Sequence, residues 1–344
     1  MKKRLLALVL AGMLCCAAAA LGDTFTDVEA PEVFVFDGTG GVTVATGTDE
    51  GAAADENAAA GASTARSAPY SSVDDGSFWS LSPGETDDAK IWQAMIQPIT
   101  VYDGGLGASE HAYAMENPDG TGAEVAQIHG QSQGLHVIGE ENEYGYVQVE
   151  VFSNYDRTYY PETEEEFAHA YELKTGYVKA SALKTITPKQ DMGLLIDMLT
   201  QRMYLFINGE RVTEFKISTG LVESLEDALF ETIAGEFITV SHTGTLKDDS
   251  KYPMLSDYAI RINGGILVHE VPHKERADGS KDYSEYEPLL GTKASHGCIR
   301  VQREKTPEGY NHKWIWDNFE RGEPYKVLIW SDLNRVDTPQ TWQE

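Results

Sequence analysis

The feature that most constrains the fold is a succession of short β-rich runs separated by turn residues. Two of these runs, at 202–207 and 212–217, flank Asn208-Gly209. This dipeptide is the strongest short-range signal for a type I′ β-hairpin. Further runs continue the β character at 193–198, 234–240, 258–262, 266–268 and 325–330. The sequence therefore predicts a mainly β protein.

A first group of β-rich runs occupies residues 89–187, with Gly, Asn and Asp at the turns. Short strands at close spacing are typical of a small all-β barrel. Residues 176–183, Gly-Tyr-Val-Lys-Ala-Ser-Ala-Leu, resemble the end of a bacterial SH3-like domain, a module often found beside cell-wall enzymes. We therefore predict an SH3-like β-barrel over 89–187. A barrel that only spaces or stabilises its neighbour is the alternative.

The first 22 residues have the pattern of a secretory signal peptide. Basic residues at 2–4 precede an apolar run at 5–13 and a stretch of alanines, and cleavage is expected between Ala20 and Asp23. The run is too short for a permanent membrane span. Lipidation of Cys15 or Cys16 is a minor alternative, because the residues before them fit a lipid-attachment box poorly. The protein is expected to be exported and associated with the cell wall.

Two further segments are predicted to lack a core. Residues 23–88 are acidic and rich in Ala, Gly, Ser and Thr, so we expect a disordered spacer, and residues 332–344 read as a polar tail. The net charge of the chain is −28, from 27 basic and 55 acidic residues. Such a charge repels nucleic acid and anionic membrane surfaces, so no nucleic-acid partner is expected.

One cysteine, Cys298, remains after the predicted cleavage, so an intramolecular disulfide partner is excluded. A thiol in an exported protein, with a histidine elsewhere in the chain, indicates a catalytic nucleophile. His269 ends the apolar run 266–268, and His296 lies two residues before Cys298. The alternatives are a buried structural cysteine and a zinc site that adds His273. Zinc is disfavoured because no cysteine pair is present, and no metal or cofactor is predicted.

The chain around Cys298 also resembles a known family. Residues 295–300, Ser-His-Gly-Cys-Ile-Arg, preceded by the run 264–269, are similar to the signature of the L,D-transpeptidase (YkuD) catalytic domain. The resemblance covers residues 190–331 and implies a β-sandwich with a short helix after the Cys loop. This sequence departs from the family in Glu270, where a small residue is common, and in a longer segment before Ser295. We interpret 273–287 as an inserted loop that forms a lid over the substrate.

The chemistry of the motif assigns a role to each residue. Cys298 is the predicted nucleophile and His269 the general base and later acid. The backbone N–H groups of His296, Gly297 and Cys298 are candidates for the oxyanion hole, because the glycine permits a tight turn. His296 orients the loop or contacts the acyl group. Ser295 holds either the turn or His296.

The position of Arg300 leaves two roles open, a carboxylate anchor for the substrate or a structural salt bridge. After the loop, Thr306, Pro307 and Gly322 predict a helix by their capping pattern. The resemblance implies that the substrates are peptidoglycan stem peptides, which form a thioester and release D-Ala before transfer to an amine. An L,D-carboxypeptidase and a non-catalytic cell-wall-binding protein are the alternatives. The oligomeric state is not indicated.

Overall fold

The structure, a computed structural model of the 344-residue chain, describes residues 68–72, 74–105, 111–153, 171–221, 231–247, 254–333 and 335. The predicted signal peptide and most of the predicted spacer lie outside these residues. Strands outnumber helices throughout the described part, which confirms the prediction of a mainly β protein. None of the described helices is long and apolar enough to cross a bilayer.

The first group of strands forms a small β unit around its own core. A five-stranded antiparallel sheet has the order β3-β2-β6-β5-β4, and β1 pairs with β7. Val147, Val149 and Val151 alternate along β5 and are buried, as expected for a strand with one face on a core. The SH3-like character of this unit stays a prediction. Its strands are β1 (Ile99–Tyr102), β2 (His111–Met115), β3 (Glu124–His129), β4 (His136–Val137), β5 (Tyr146–Ser153), β6 (Glu172–Lys179) and β7 (Leu183–Ile186).

The second group of strands builds a nine-stranded sheet, in the order β11-β18-β8-β9-β10-β17-β14-β13-β12, and a separate hairpin of β15 and β16. β11 and β13 stand near opposite ends of that order yet contact each other, so the sheet curls over on its core. The strands are β8 (Met192–Asp197), β9 (Arg202–Ile207), β10 (Glu210–Ser218), β11 (Gly235–Ile238), β12 (Ser241–Lys247), β13 (Leu255–Asn263), β14 (Ile266–Glu270), β15 (Lys274–Glu275), β16 (Lys281–Asp282), β17 (Ile299–Val301) and β18 (Lys326–Trp330).

The hairpin predicted at Asn208-Gly209 is confirmed. β9 ends at Ile207 and β10 begins at Glu210, and the two turn residues have φ of 49° and 94°. Positive φ at both central residues is the requirement of a type I′ turn, whose twist matches that of the flanking strands. The turn fixes the register of β9 against β10.

The predicted spacer and barrel boundaries are wrong in one respect. Phe78 and Trp79 lie in a 3-10 helix and are buried in the core of the nine-stranded sheet. They are followed by helix α1 (Asp88–Ile96), capped by Asp87. α1 contacts β10 and β18, so the segment that precedes the β unit packs on the second domain. The composition of residues 23–88 is polar on average, and the few aromatic residues at its end provide the anchor.

The predicted helix after the Cys loop also begins later than expected. α2 spans His312–Asn318, and its N-cap is Asn311, whose side chain accepts from the N–H of Trp314. Thr306 does not cap it. Its N–H instead donates to the carbonyl of Tyr310 (2.7 Å) and closes a turn. A second correction concerns the predicted polar tail, because Arg335 is buried and forms two hydrogen bonds with Asp197 (2.7 and 3.0 Å).

A buried ion pair ties the N-terminal segment to the sheet. The Nζ of Lys326, which is fully buried, donates to Glu236 (2.8 Å) and to the carbonyl of Ala94 (3.1 Å). The other carboxylate oxygen of Glu236 accepts from the indole N–H of Trp79 (3.1 Å). Each charged oxygen therefore has a hydrogen-bond partner, as burial of a charge requires.

Lys326→Met is expected to lower the free energy of unfolding by about 3–5 kcal/mol, because it leaves the carboxylate of Glu236 buried without its cation. Lys189→Met is the matched control. Lys189 pairs with Glu320 at the surface (3.3 Å), and loss of such a pair costs about 1 kcal/mol or less. Urea unfolding of both variants measures the difference. Equal losses in the two variants would contradict the assignment of Lys326 as an anchor.

Candidate active site

The two principal site residues lie on adjacent strands. β14 and β17 pair in parallel, with His269 opposite Arg300 and Val268 opposite Ile299. Directly paired residues point to the same face of a sheet, and side chains alternate along a strand. Cys298, two residues before Arg300, therefore lies on the face of His269 as a diagonal neighbour. Val268 and Ile299 are fully buried and point into the core.

The imidazole of His269 has a fixed orientation. The side chain is 3% exposed, and its Nδ1 lies 2.7 Å from the carbonyl oxygen of Glu270. A carbonyl only accepts, so the proton of the neutral ring is on Nδ1 and the lone pair is on Nε2. This tautomer leaves Nε2 able to take a proton, as a general base must.

Cys298 is presented by a tight turn. Gly297 has φ of 107°, a conformation that residues with a Cβ rarely adopt. The thiol is partly exposed and is not part of a disulfide. Its Sγ points to the carbonyl of Gly265 at 3.7 Å. The turn thus leaves the sulfur partly exposed, immediately before the first residue of β17.

Ser295 closes this turn from inside. It is 1% exposed, its Oγ donates to the carbonyl of Cys298 (2.5 Å), and the same Oγ accepts from the N–H of Gly297 (3.2 Å). Of the two roles predicted for Ser295, this geometry fits the holding of the turn. The N–H of Gly297 is thereby engaged inside the turn, so it is not a donor for an oxyanion.

Arg300 lies beneath the loop. It is 6% exposed, its Nη1 donates to the carbonyl of Ala294 (2.8 Å), and its guanidinium stacks on the ring of Tyr286 at 5.5 Å. Burial lowers the pKa of Arg300, while Cys298 and Tyr286 act in the opposite direction. The guanidinium stays charged in any protein and favours a thiolate nearby. This position fits the holding of the Cys loop better than contact with a substrate carboxylate.

The other histidines of the motif occupy different places. His296 is exposed, two residues before Cys298 in the chain. His273 is buried, 3.8 Å from Asp257 and beside the ring of Tyr283. Among the described residues, no group of three or more His, Cys, Asp or Glu side chains is arranged to hold a metal. The zinc alternative therefore lacks a ligand set in this part of the chain.

The segment 273–287 is an ordered hairpin fastened to the site. Glu270 accepts from the hydroxyl of Tyr283 (3.0 Å), and burial raises the pKa of Glu270 against the opposing effect of this bond. Lys281 forms an ion pair with Asp257. Glu270 is therefore a buried, hydrogen-bonded side chain. Whether the hairpin covers a bound substrate stays a prediction.

The residues that support the Cys loop lie outside the motif and were not predicted from the sequence. Residues 218–221 run beside residues 292–295: the carbonyl of Thr219 accepts from the N–H groups of Ala294 (2.9 Å) and Ser295 (3.0 Å). Gln201 bonds the N–H and hydroxyl of Thr219 (2.9 and 2.7 Å). Thr232, buried behind the loop, is described below. No catalytic residue type marks these positions, and their contacts span tens of residues along the chain.

The small β unit reaches the same region. A Cβ placed on Gly264 would lie 3.0 Å from Nδ1 of His129 on β3, and Gly265 carries the carbonyl that faces the thiol. Burial, together with the neighbouring His111, lowers the pKa of His129 to about 3. A neutral imidazole therefore packs against the turn that precedes β14.

Sequence comparison supports an L,D-transpeptidase catalytic domain. Residues 191–329 match the family model described as YkuD, L,D-transpeptidase catalytic domain. The matched range contains His269 and Cys298. YciB of Bacillus subtilis (strain 168), provisionally assigned as an L,D-transpeptidase, is 29% identical over 136 residues. That alignment covers 39% of this chain and 63% of the relative, less than two thirds of its length.

Solved structures of L,D-transpeptidases are also similar in part. One from Mycobacterium smegmatis is 16% identical and covers 61% of this chain and 100% of its own, with a TM-score of 0.30. The catalytic domain from E. faecium is 24% identical and covers 41% of this chain and 98% of its own, with a TM-score of 0.27.

Proposed function

We propose that this protein is an exported L,D-transpeptidase that cross-links peptidoglycan stem peptides through a thioester on Cys298. The observation that carries the proposal is the pairing of β14 with β17 inside the matched region. It brings a histidine whose Nδ1 faces the carbonyl of Glu270 and a partly exposed thiol to one face of adjacent strands. The predicted signal peptide supports export of the protein to the compartment in which peptidoglycan lies.

The first half-reaction forms the thioester. His269 Nε2 takes the thiol proton, and the sulfur attacks the carbonyl between the diamino acid and the terminal D-Ala. Negative charge develops on the oxygen of that carbonyl, and backbone N–H groups of the Cys loop donate hydrogen bonds to it. Collapse breaks the C–N bond, and His269 returns its proton to the departing D-Ala amine.

The second half-reaction transfers the acyl group. An amine of another stem attacks the thioester carbonyl, His269 accepts the proton of the attacking nitrogen, and the thiolate of Cys298 leaves. Attack by water in place of the amine gives the L,D-carboxypeptidase. The charge of Arg300 below the loop favours the departing thiolate.

The test uses the chain from Asp23 onward, because truncation at 89 would remove Phe78 and Trp79 from the core. The protein is incubated with a disaccharide tetrapeptide, and the products are followed by mass spectrometry. We expect D-Ala and a cross-linked dimer of stems. Free D-Ala with tripeptide and no dimer would support the carboxypeptidase. No product from the folded protein would support the non-catalytic binding protein.

A further inference from the structure

A single buried hydroxyl supports the peptide bond that precedes the sulfur. Thr232 is fully buried, and its Oγ1 donates to the carbonyl of Gly297 at 2.8 Å. The same oxygen accepts from the N–H of Gly220 at 2.8 Å. The hydroxyl therefore has both a donor and an acceptor partner in the main chain.

The carbonyl that Thr232 holds belongs to the Gly297–Cys298 peptide, whose N–H is a candidate oxyanion donor. A trans peptide is planar, and its C=O and N–H point in opposite directions; the described residues contain no cis peptide bond. Fixing the carbonyl of Gly297 toward the interior therefore fixes the N–H of Cys298 in the opposite direction. Thr232 sets the aim of that donor without touching a substrate.

Gly220, whose N–H donates to the hydroxyl of Thr232, is itself held by contacts with the Cys loop. Gly220 forms a parallel bridge with Ser295, and the N–H of Leu221 donates to the carbonyl of Ser295 at 2.9 Å. Thr232 thus links the segment 218–221 to the Cys loop at the residue that precedes the nucleophile. The loop is held on one side by Ser295 and on the other by Thr232.

We infer that Thr232 is a positioning residue for the oxyanion hole, acting through the Gly297–Cys298 peptide. This inference rests on the proposed function in that it concerns acylation of Cys298. It is independent of the stem peptide, because any carbonyl that acylates the thiol passes through the same tetrahedral oxyanion.

The experiment compares two reactions of Cys298 in the wild type and in Thr232→Val, which keeps the shape of threonine and removes both hydrogen bonds. With p-nitrophenyl acetate, the thiolate attacks the carbonyl, an oxyanion forms, and p-nitrophenolate leaves. With iodoacetamide, the thiolate displaces iodide at a saturated carbon and no oxyanion forms. We expect acylation to slow by about tenfold to a hundredfold, part of the roughly 10²–10³ lost when a donor is removed, and alkylation to keep its rate.

Thr239→Val is the matched control. Thr239 makes the same two bonds elsewhere: its Oγ1 donates to the carbonyl of Glu323 (2.9 Å) and accepts from the N–H of Tyr325 (2.9 Å). This variant should lose comparable stability and keep both rates. Thr232→Ser retains the hydroxyl and should restore acylation. If Thr232→Val does not fold, Thr232→Ala replaces it, with thermal melting to identify the folded fraction.

Two results would overturn the inference. One is equal acylation rates in the wild type and the folded Thr232 variant. The other is a parallel fall of acylation and alkylation, which would show a general disturbance of the thiol. Failure of the proposed function has a different signature, since the wild type would then react with p-nitrophenyl acetate but not with the tetrapeptide.

Discussion

Replacing Cys298 with alanine is expected to abolish the covalent intermediate and the cross-linked product. The reason is that no other cysteine lies beyond residue 16, and the turn at Gly297 exposes this sulfur beside His269. Loss of a nucleophile that acts together with its base costs on the order of 10⁶-fold in rate. Intact-protein mass spectrometry after incubation with the tetrapeptide measures the effect directly, as an acyl mass gain in the wild type and none in Cys298→Ala.

The Cys298→Ala variant must be shown to fold, and a second measurement must follow a property other than the covalent intermediate. Cys298→Ala should unfold at a temperature near that of the wild type, because the contact of the thiol with the carbonyl of Gly265 is weak (3.7 Å). Binding of the variant to isolated cell walls is measured in parallel. Product formation by Cys298→Ala at the wild-type rate would contradict the thioester mechanism. A wild type that binds walls and never gains mass would favour the binding protein.

The parts of the fold that the sequence predicted are those set by local signals. Asn208-Gly209 determines a two-residue turn by its own backbone preferences, so these two residues were enough to predict the hairpin. His269 was expected at the end of an apolar strand, and β14 ends at Glu270, one residue later. Gly297 was expected to permit a tight turn, and its φ of 107° is of that kind. In each case the residue type limits the backbone directly.

The parts that were missed depend on contacts between distant segments. Phe78 and Trp79 sit in a polar stretch, and only the assembled sheet shows the core that they enter. Thr306 and Asn311 are both good N-cap residues; Asn311 caps the helix, and the hydroxyl of Thr306 accepts from that of Thr213 (2.8 Å) across the fold. Thr232 is 65 residues from Gly297. Residue type alone gives no signal for such partners.

The residues of the candidate site form the same two groups, those predicted from the motif and those whose role depends on contacts in the folded chain. The motif itself carried the chemistry of Cys298 and His269, since a thiol and an imidazole are reactive in few other roles. The support of the motif was not predictable. Arg300 could be read as a substrate anchor until its burial and its bond to the carbonyl of Ala294 were seen. Roles that depend on exposure need the folded chain.

His269→Gln is expected to slow acylation of Cys298 by about 10²–10⁴-fold at neutral pH, the usual contribution of a general base. Glutamine is similar in size and keeps a donor for the carbonyl of Glu270, but it has no nitrogen that accepts a proton. The thiol must then ionise without help, with a pKa of roughly 8.5 for an ordinary cysteine. The measured rate of the variant should therefore rise steeply between about pH 7 and pH 9, as the thiol ionises.

The control is the same substitution at a histidine of the small β unit. His136 Nδ1 is hydrogen-bonded to Glu150 (2.9 Å), and its ring stacks on Trp79. It lies on β4, outside the nine-stranded sheet that contains β14 and β17, so His136→Gln should keep the wild-type pH profile. Stopped-flow acylation with p-nitrophenyl acetate across this pH range gives both curves. Parallel curves for the wild type and His269→Gln would exclude His269 as the base. A curve that rises with pH only in His269→Gln ties the proton of Cys298 to Nε2, because Nδ1 of the neutral ring already carries the proton that it donates to the carbonyl of Glu270.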